Sequence, residues 1–91
     1  MENRISVIIP ARDEAPALSA CLRGVIEAVP GCELIVVDDG STDSTAAIAA
    51  EHGARVISHP YPKGNGAAVK TGARAATGDI LVFMDADGQH R

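Results

Sequence analysis

Four short apolar runs recur along the chain, and three segments with helical spacing separate them. The runs lie at residues 5–9, 34–37, 55–58 and 80–84. They are rich in β-branched residues and mostly continuous rather than alternating, which is typical of strands that are covered on both faces. The pattern therefore predicts four buried strands.

The segment between the first two runs predicts an amphipathic helix over residues 16–29. It has a proline near its start, and Pro30 and Gly31 stop it. Its large apolar side chains fall on one face: Leu18, Leu22, Val25, Ile26 and Val29.

Two further helices are predicted from capping residues and from a stripe of small side chains. In STAAIAAEHG, Asp43 or Ser44 is the expected N-cap and Gly53 the expected left-handed terminator. The third helix covers residues 66–76, and Gly78 ends it. Its small face lets the helix approach a sheet closely: Val69, Gly72, Ala73 and Ala76.

Strictly alternating strands and helices require right-handed crossovers, so the order predicts an α/β protein with a doubly wound, mainly parallel sheet. Ligands of such sheets bind beyond the carboxyl ends of the strands, near the point where the strand order reverses. Polar residues follow three of the four runs, in PARDE, DDGSTD and DADGQH. These three segments are expected to form a functional site.

Length and composition agree with one small α/β domain. Hydrophobic residues make up 46% of the 91 residues and aromatic residues only 2%, so the core must be built from aliphatic side chains. The net charge is -4 and the eight Lys and Arg residues are scattered. A nucleic-acid partner is therefore not expected, and a small charged ligand bridged by a metal fits better.

The cysteines and histidines match no metal motif. Cys21 and Cys32 lack ligand spacing and no signal peptide is recognisable, which predicts reduced thiols in a cytosolic protein. His52 is expected at a helix end and His59 in a loop, neither with a function. His90 is the histidine nearest the last carboxylates.

The DADGQH segment offers oxygen ligands for a hard metal ion. Asp85 and Asp87 are one residue apart, so both carboxylates point the same way if the chain stays extended. Two such charges resist joint ionisation unless a cation shares them. Mg²⁺ or Mn²⁺ prefers oxygen ligands, and Gln89 could add an amide oxygen. A solvated turn explains the motif equally well, but its place after a buried strand favours the metal site.

Two other segments could bind a nucleotide. In VVDDGSTDST, helix capping accounts for Asp43 or Ser44, which leaves Asp39 free to accept a hydrogen bond from a base or ribose. In HPYPKGNGAAVK, backbone amides and Lys63 could meet a diphosphate at a helix start. That segment is not a Walker motif, and a plain surface loop is its simpler interpretation.

Together, VIIPARDEAPAL, LIVVDDGSTDST and KGNGAAVKTGARAATGDILVFMDADGQH resemble the nucleotide-binding half of family 2 glycosyltransferases with the GT-A (Rossmann-like) fold. The closest similarity is to dolichyl- or polyprenyl-phosphate sugar synthases. The resemblance covers residues 5–90 and implies the strand order 3-2-1-4 with helices on both faces.

The resemblance also implies roles for individual residues. The expected nucleotide-binding residues are Pro10, Ala11, Arg12, Glu14, Asp38, Asp39, Lys63, Asp85 and Ala86. The expected metal ligands, for Mg²⁺ or Mn²⁺, are Asp85, Asp87 and Gln89, and the two aspartates are expected to be catalytic through that metal. The donor would be a UDP- or GDP-sugar, transferred with inversion to a lipid phosphate, polyprenyl or dolichyl, or to a glycan.

Two departures from the family pattern affect this expectation. Ala11-Arg12-Asp13-Glu14 stands where many relatives have Thr-Tyr-Asn-Glu, which removes an aromatic ring and leaves base preference open. Family members also continue well past the Asp-x-Asp motif. Residues 1–91 are therefore expected to be the donor-binding part of a longer enzyme and to be inactive alone. The expected location is the cytoplasm or, for the full-length enzyme, the cytoplasmic face of a membrane.

The order 3-2-1-4 would make residues 80–84 an apolar edge strand, a kind of edge that proteins avoid exposing. Self-association through that edge is therefore a second expectation.

Two alternative functions also remain: a nucleotide- or metal-binding module without chemistry, and, less favoured, a haloacid dehalogenase-type phosphatase. In that family, the first aspartate of a strand-end Asp-x-Asp-Gly is a nucleophile. The family has this motif early in its sequence, whereas here it comes last, at residues 85–88.

Overall fold

The structure is a computed structural model that describes residues 3–86. Its strands are β1 (Ile5–Ala11), β2 (Glu33–Asp39), β3 (Arg55–His59) and β4 (Ile80–Phe83). Its helices are α1 (Ala15–Ala28), α2 (Thr45–Glu51) and α3 (Asn65–Ala75). Asp87, Gln89 and His90, named above, lie outside the described residues.

The four strands form one parallel sheet in the order β3-β2-β1-β4. The predicted strand order is confirmed. The chain first moves outward from β1 to β3 and then returns to the other side of β1. The strand order therefore reverses at β1, which places the switch point between the carboxyl ends of β1 and β4.

Side-chain alternation divides the interior into two layers. Val7 and Ile9 of β1 and Val36 of β2 face α1 and α2, where they pack with Leu18 and Leu22. The opposite face of the sheet carries α3 over a smaller cluster: Ile8, Ile35, Val37 and Ala68. Helices thus lie on both faces, as the doubly wound pattern predicts.

Helix α3 lies very close to the sheet at Gly72. A Cβ atom built there would collide with Cγ2 of Ile8 and lie 3.3 Å from Cγ2 of Val37. Gly72 is therefore a real contact of the predicted stripe, but it is the only one of the four predicted residues that is buried; the other buried residue of α3, Ala68, was not among them.

Several predicted boundaries were wrong by a few residues. Strands β1 and β2 each continue two residues beyond the apolar run, β1 through Pro10 and Ala11 and β2 through Asp38 and Asp39. These residues are still in register with a neighbouring strand: Ala11 pairs with Asp38, and Asp39 pairs with His59 of β3. Helix α3 ends at Ala75, and Gly78 instead lies in the following turn against Ser6. Ile26, placed on the buried face of α1, is 42% exposed because α1 buries a narrower stripe.

Strand β4 is the least covered element of the described structure, so the prediction of a buried strand was wrong for this one. It pairs with β1 along one side, and its four side chains are between 38% and 47% exposed. An apolar groove of about 480 Å³ separates it from α1, lined among others by Cys21, Val82 and Met84.

Among residues 3–86, no helix is long and apolar enough to cross a membrane. Within residues 3–86, neither Cys21 nor Cys32 forms a disulfide. Burial raises the pKa of the Cys32 thiol.

Candidate functional site

A polar cleft of about 370 Å³ opens at the carboxyl end of the sheet, beside the switch point. It gathers residues from the ends of β1, β2 and β4 and from the start of α3: Pro10, Ala11, Arg12, Glu14, Asp39, Gly64, Asn65, Ala68, Asp85 and Ala86. Seven of the nine residues predicted to bind a nucleotide line this cleft. Three segments that are far apart in the sequence therefore meet where their motifs predicted a site.

Side-chain hydrogen bonds join the loops that follow β1 and β2. The Asp13 amide donates to Ser41 Oγ at 2.9 Å, and Asp13 Oδ1 accepts from the Thr42 amide at 2.8 Å. Asp13 has a φ of 50°, a left-handed conformation that aspartate tolerates better than most residues. The reciprocal pair fixes the two loops relative to each other below the cleft.

The same loops share the capping of two helices. Asp43 Oδ1 accepts from the Thr45 amide at 2.9 Å, at the start of α2, and Asp43 Oδ2 accepts from the Ala15 amide at 3.3 Å, at the start of α1. Ser44 is the N-cap residue of α2 by position, but its side chain makes no capping hydrogen bond. Hydrogen bonds, first of all from the Thr45 hydroxyl, lower the pKa of Asp43.

Asp39 is not the free carboxylate that the sequence suggested. Its Oδ1 accepts from His59 Nδ1 and from the Lys63 amide, both at 2.8 Å, and its Oδ2 accepts from the Gly64 amide at 2.9 Å. Burial favours the neutral acid, but these hydrogen bonds together outweigh it and lower the pKa of Asp39. Asp39 thus anchors the loop between β3 and α3 while it still lines the cleft.

His59 is a residue whose role the sequence interpretation missed. It is buried, it ends β3 directly opposite Asp39, and its Nε2 lies 2.9 Å from Thr71 Oγ1 of α3. An isolated histidine carries no motif, so it could be found only by noting that the carboxyl ends of β2 and β3 are adjacent.

Asp38 and Lys63 are the two predicted nucleotide-binding residues that do not line the cleft. Asp38 points to the other face of β2, where its Oδ1 accepts from the Ser41 amide at 3.0 Å. The Lys63 ammonium lies 5.4 Å from the centre of the exposed Tyr61 ring. In place of the lysine side chain, Gly64 and Asn65 bring the start of α3 to the cleft.

The charges around the cleft favour a cation. Glu14, Asp39 and Asp85 supply three carboxylates, against the single guanidinium of Arg12. Asp85 is exposed at the end of β4, where a strand-end carboxylate can reach a ligand. Among residues 3–86 no three acidic, histidine or cysteine side chains are grouped to hold a metal. The predicted partners of Asp85 lie outside that range.

A parallel sheet in the order 3-2-1-4, with a polar cleft beside its switch point, defines a doubly wound α/β protein with a ligand site where such proteins have theirs. Within that class, the family model described as glycosyl transferase family 2 matches residues 6–91. The chain belongs to this family. An uncharacterized glycosyltransferase of Mycobacterium tuberculosis is 45% identical over 87 residues, which are 94% of this chain and 38% of that protein.

Solved structures confirm the GT-A fold. Glucosyl-3-phosphoglycerate synthase from Mycobacterium tuberculosis, in complex with Mn²⁺, UDP and glucosyl-3-phosphoglycerate, matches with a TM-score of 0.81 and 38% identity, over 92% of this chain and 33% of that one. A mannosyltransferase from Pyrobaculum calidifontis, in complex with GDP-Man and Mn²⁺, matches with a TM-score of 0.87 and 31% identity, over 96% and 28%. The chain spans about a third of the length of these relatives.

Proposed function

We propose that this chain is the donor-binding part of a family 2 glycosyltransferase and that its cleft takes a nucleotide-diphospho-sugar together with Mg²⁺ or Mn²⁺. The observation that carries the proposal is the meeting of the β1, β2 and β4 ends with the start of α3 in one polar cleft. The two structural relatives are bound to nucleotides with different bases, UDP in one and GDP-Man in the other, but both hold Mn²⁺. Their common segment therefore suits the shared diphosphate and metal better than one particular base.

The metal proposal is supported by the charge of the cleft. Three carboxylates would repel a diphosphate unless a cation lies between them. Asp85, with Asp87 and Gln89, offers the oxygen ligands that Mg²⁺ and Mn²⁺ prefer. A bound divalent ion would neutralise the charge that develops on the departing nucleoside diphosphate, which is the sense in which Asp85 and Asp87 are catalytic residues here.

The remaining cleft residues would hold the donor. Arg12 offers planar donors to a phosphate oxygen, and the amides at the start of α3 supply the positive end of its dipole. In the described residues, the hydrogen bonds of Asp39 use three of the roughly four lone-pair sites of a carboxylate. The remaining site on Oδ2 could accept one N–H or O–H from a base or a ribose.

The acceptor, the stereochemistry and the location remain proposals. The sequence resemblance implies inversion and a lipid-phosphate or glycan acceptor, whereas the synthase named above is bound to glucosyl-3-phosphoglycerate. Both a polyprenyl phosphate and phosphoglycerate carry a phosphate group, so we propose a phosphorylated acceptor. A cytoplasmic location, or one at the cytoplasmic face of a membrane, stays a prediction.

Calorimetric titration of the purified chain with UDP and with GDP, each with and without Mn²⁺, tests donor binding. We expect one nucleotide to bind only with Mn²⁺, and Asp85→Asn to weaken that binding about tenfold or more. Glu27→Gln, which changes an exposed carboxylate on α1, is the matched control and should bind as the wild type does. Binding that needs no metal, or no binding by a folded chain, would contradict the proposal.

A transfer assay separates an enzyme from a binding module without chemistry. The purified chain is incubated with radiolabelled UDP-glucose or GDP-mannose, with Mn²⁺, and with either polyprenyl phosphate or 3-phosphoglycerate. We expect binding without measurable transfer by these 91 residues. Transfer to either acceptor would contradict the expected inactivity and would identify the acceptor. Membership of family 2 favours a transferase over the phosphatase alternative.

A further inference from the structure

A hydrogen-bonded chain runs from the cleft through the sheet edge to α3. Asp39 Oδ1 lies 2.8 Å from His59 Nδ1, and His59 Nε2 lies 2.9 Å from Thr71 Oγ1. Asp39 and His59 occupy paired positions of β2 and β3, and both are more than nine-tenths buried. The imidazole is thus held on both sides by groups from different elements.

The chain of hydrogen bonds fixes the imidazole tautomer. An ionised Asp39 only accepts, so the proton must be on Nδ1. Nε2 then accepts from the Thr71 hydroxyl in the neutral ring, or donates to it in the charged ring. Because a hydroxyl can do either, both contacts survive in either protonation state, and the ring keeps its orientation.

The three donors to Asp39 are not equivalent. Two are main-chain amides of the loop that joins β3 to α3, from Lys63 and Gly64, whose residues are exposed. The third is a buried side chain on a strand that is paired in the sheet. His59 is therefore the rigid member that sets the rotation of the Asp39 carboxylate, and with it the direction of the remaining Oδ2 acceptor site.

We infer that His59 is a positioning residue: it orients Asp39 toward the nucleotide in the cleft, and Thr71 holds the imidazole in place for that purpose. The inference rests on the proposed function, because it assigns Asp39 a ligand. A purely structural His59 would support folding of the loop without affecting affinity, and the two roles make different predictions.

The test compares variants of His59 and Thr71 in the purified chain, with UDP or GDP and Mn²⁺ as the probe. His59→Leu removes both hydrogen bonds at similar size, whereas the amide of His59→Asn can still donate to Asp39. Thr71→Val removes the hydroxyl with little change in shape, and Thr71→Ser retains it. His52→Leu is the matched control, because His52 also makes two side-chain hydrogen bonds, to Ser19 and to the Ile48 carbonyl, away from the cleft.

Loss of a hydrogen bond to a charged group should weaken nucleotide binding by about tenfold or more in His59→Leu. We expect His59→Asn and Thr71→Ser to stay within about threefold of the wild type and Thr71→Val to fall between. His52→Leu should lower the thermal unfolding midpoint but leave affinity unchanged. Equal affinity in wild type, His59→Leu and Thr71→Val would overturn the inference. If His59→Leu does not fold, the nucleotide affinities of Thr71→Val and Thr71→Ser are compared instead, and equal affinities would overturn the inference.

A second measurement separates this inference from the proposed function. Amide hydrogen exchange of Lys63 and Gly64, followed by NMR without nucleotide, reports how stable the hydrogen bonds from these two amides to Asp39 are. Should the wild type bind neither nucleotide, the proposed function fails. Faster exchange in His59→Leu but not in His59→Asn would still support a carboxylate oriented by His59. Equal exchange in all variants would overturn that as well.

Discussion

Gly72 has no side chain, and this allows α3 to pack closely against the sheet. Elsewhere in a helix, glycine costs about 0.5–1 kcal/mol relative to alanine because it loses more backbone freedom on folding. At Gly72 the first atoms that a methyl group would meet are Cγ2 of buried Ile8 and Cγ2 of buried Val37. Neither is the far end of a flexible side chain, so the helix itself must move.

We expect Gly72→Ala to lower the free energy of unfolding by about 1–3 kcal/mol, the usual cost of overpacking. Gly24→Ala is the matched control, because Gly24 lies within α1 and a Cβ there meets nothing within 4 Å. That substitution should raise the free energy of unfolding by about 0.5–1 kcal/mol. Urea denaturation of the three proteins measures both. Equal effects of the same sign would show that the close approach at Gly72 does not limit packing.

Gly72 and His59 differ in how far their contacts can be predicted from the sequence. The stripe containing Gly72 was recognised from spacing alone, because helical periodicity is local. His59 was not recognised, because its partner Asp39 is 20 residues away and becomes adjacent only when β2 and β3 pair in one particular register. Local pattern predicts faces of elements, whereas contacts across strand ends need the register.

At the scale of elements, Glu33 joins three parts of the chain at the amino end of the sheet. Its Oε1 accepts from Ser6 Oγ of β1 and from the Thr77 amide, both at 2.7 Å, and its Oε2 accepts from the Thr77 hydroxyl at 3.0 Å. The turn between α3 and β4 is thereby tied to β1 and β2. These hydrogen bonds, first of all the one from the Thr77 amide, lower the pKa of Glu33 from its usual 4.5.

The lowered pKa makes a prediction about acid stability. A carboxylate whose pKa is lower in the folded state stabilises the fold above its unfolded pKa, and this stabilisation is lost as the pH falls through the folded value. Glu33→Gln should therefore reduce stability at about pH 7 and show a smaller loss than the wild type on acidification to about pH 3. Urea denaturation at both pH values measures the difference. Glu27→Gln, on the exposed side of α1, should follow the wild-type profile; a parallel profile for Glu33→Gln would contradict the assigned role.

Element boundaries were predicted less well than element types. The apolar runs ended two residues before β1 and β2 do, because Pro10, Asp38 and Asp39 look like loop residues. The pairing explains why they remain in strands: Pro10 pairs with Val37 of β2, whereas the pairing of β1 with β4 already stops at Ile8. Pro10 and Asp39 have low strand propensity, yet both lie at strand ends that line the cleft. The residues that form the cleft are therefore the ones at which propensity mispredicts the strand ends.

At the scale of the whole molecule, coverage of the sheet is uneven. Strand β3 at one edge carries polar residues and ends in the Asp39 contact, whereas β4 at the other edge is entirely apolar. Within residues 3–86, β4 pairs with a single strand, and no charged or proline residue blunts its free side. An exposed apolar edge strand without charged residues or proline can pair with a strand of another chain.

We therefore expect the chain to self-associate through β4, which the sedimentation coefficient should reveal by rising with concentration. Leu81→Lys places a charge on the edge strand, in the way that natural proteins protect edges. It should weaken association about tenfold or more, the change that about 1.4 kcal/mol produces. Ile26→Lys is the matched control: Ile26 is 42% exposed and Leu81 38%, but Ile26 lies on α1 and outside the groove beside β4. If both lysine variants reduce association equally, general surface hydrophobicity drives it, and a wild type that stays monomeric at every concentration would rule out pairing through this edge.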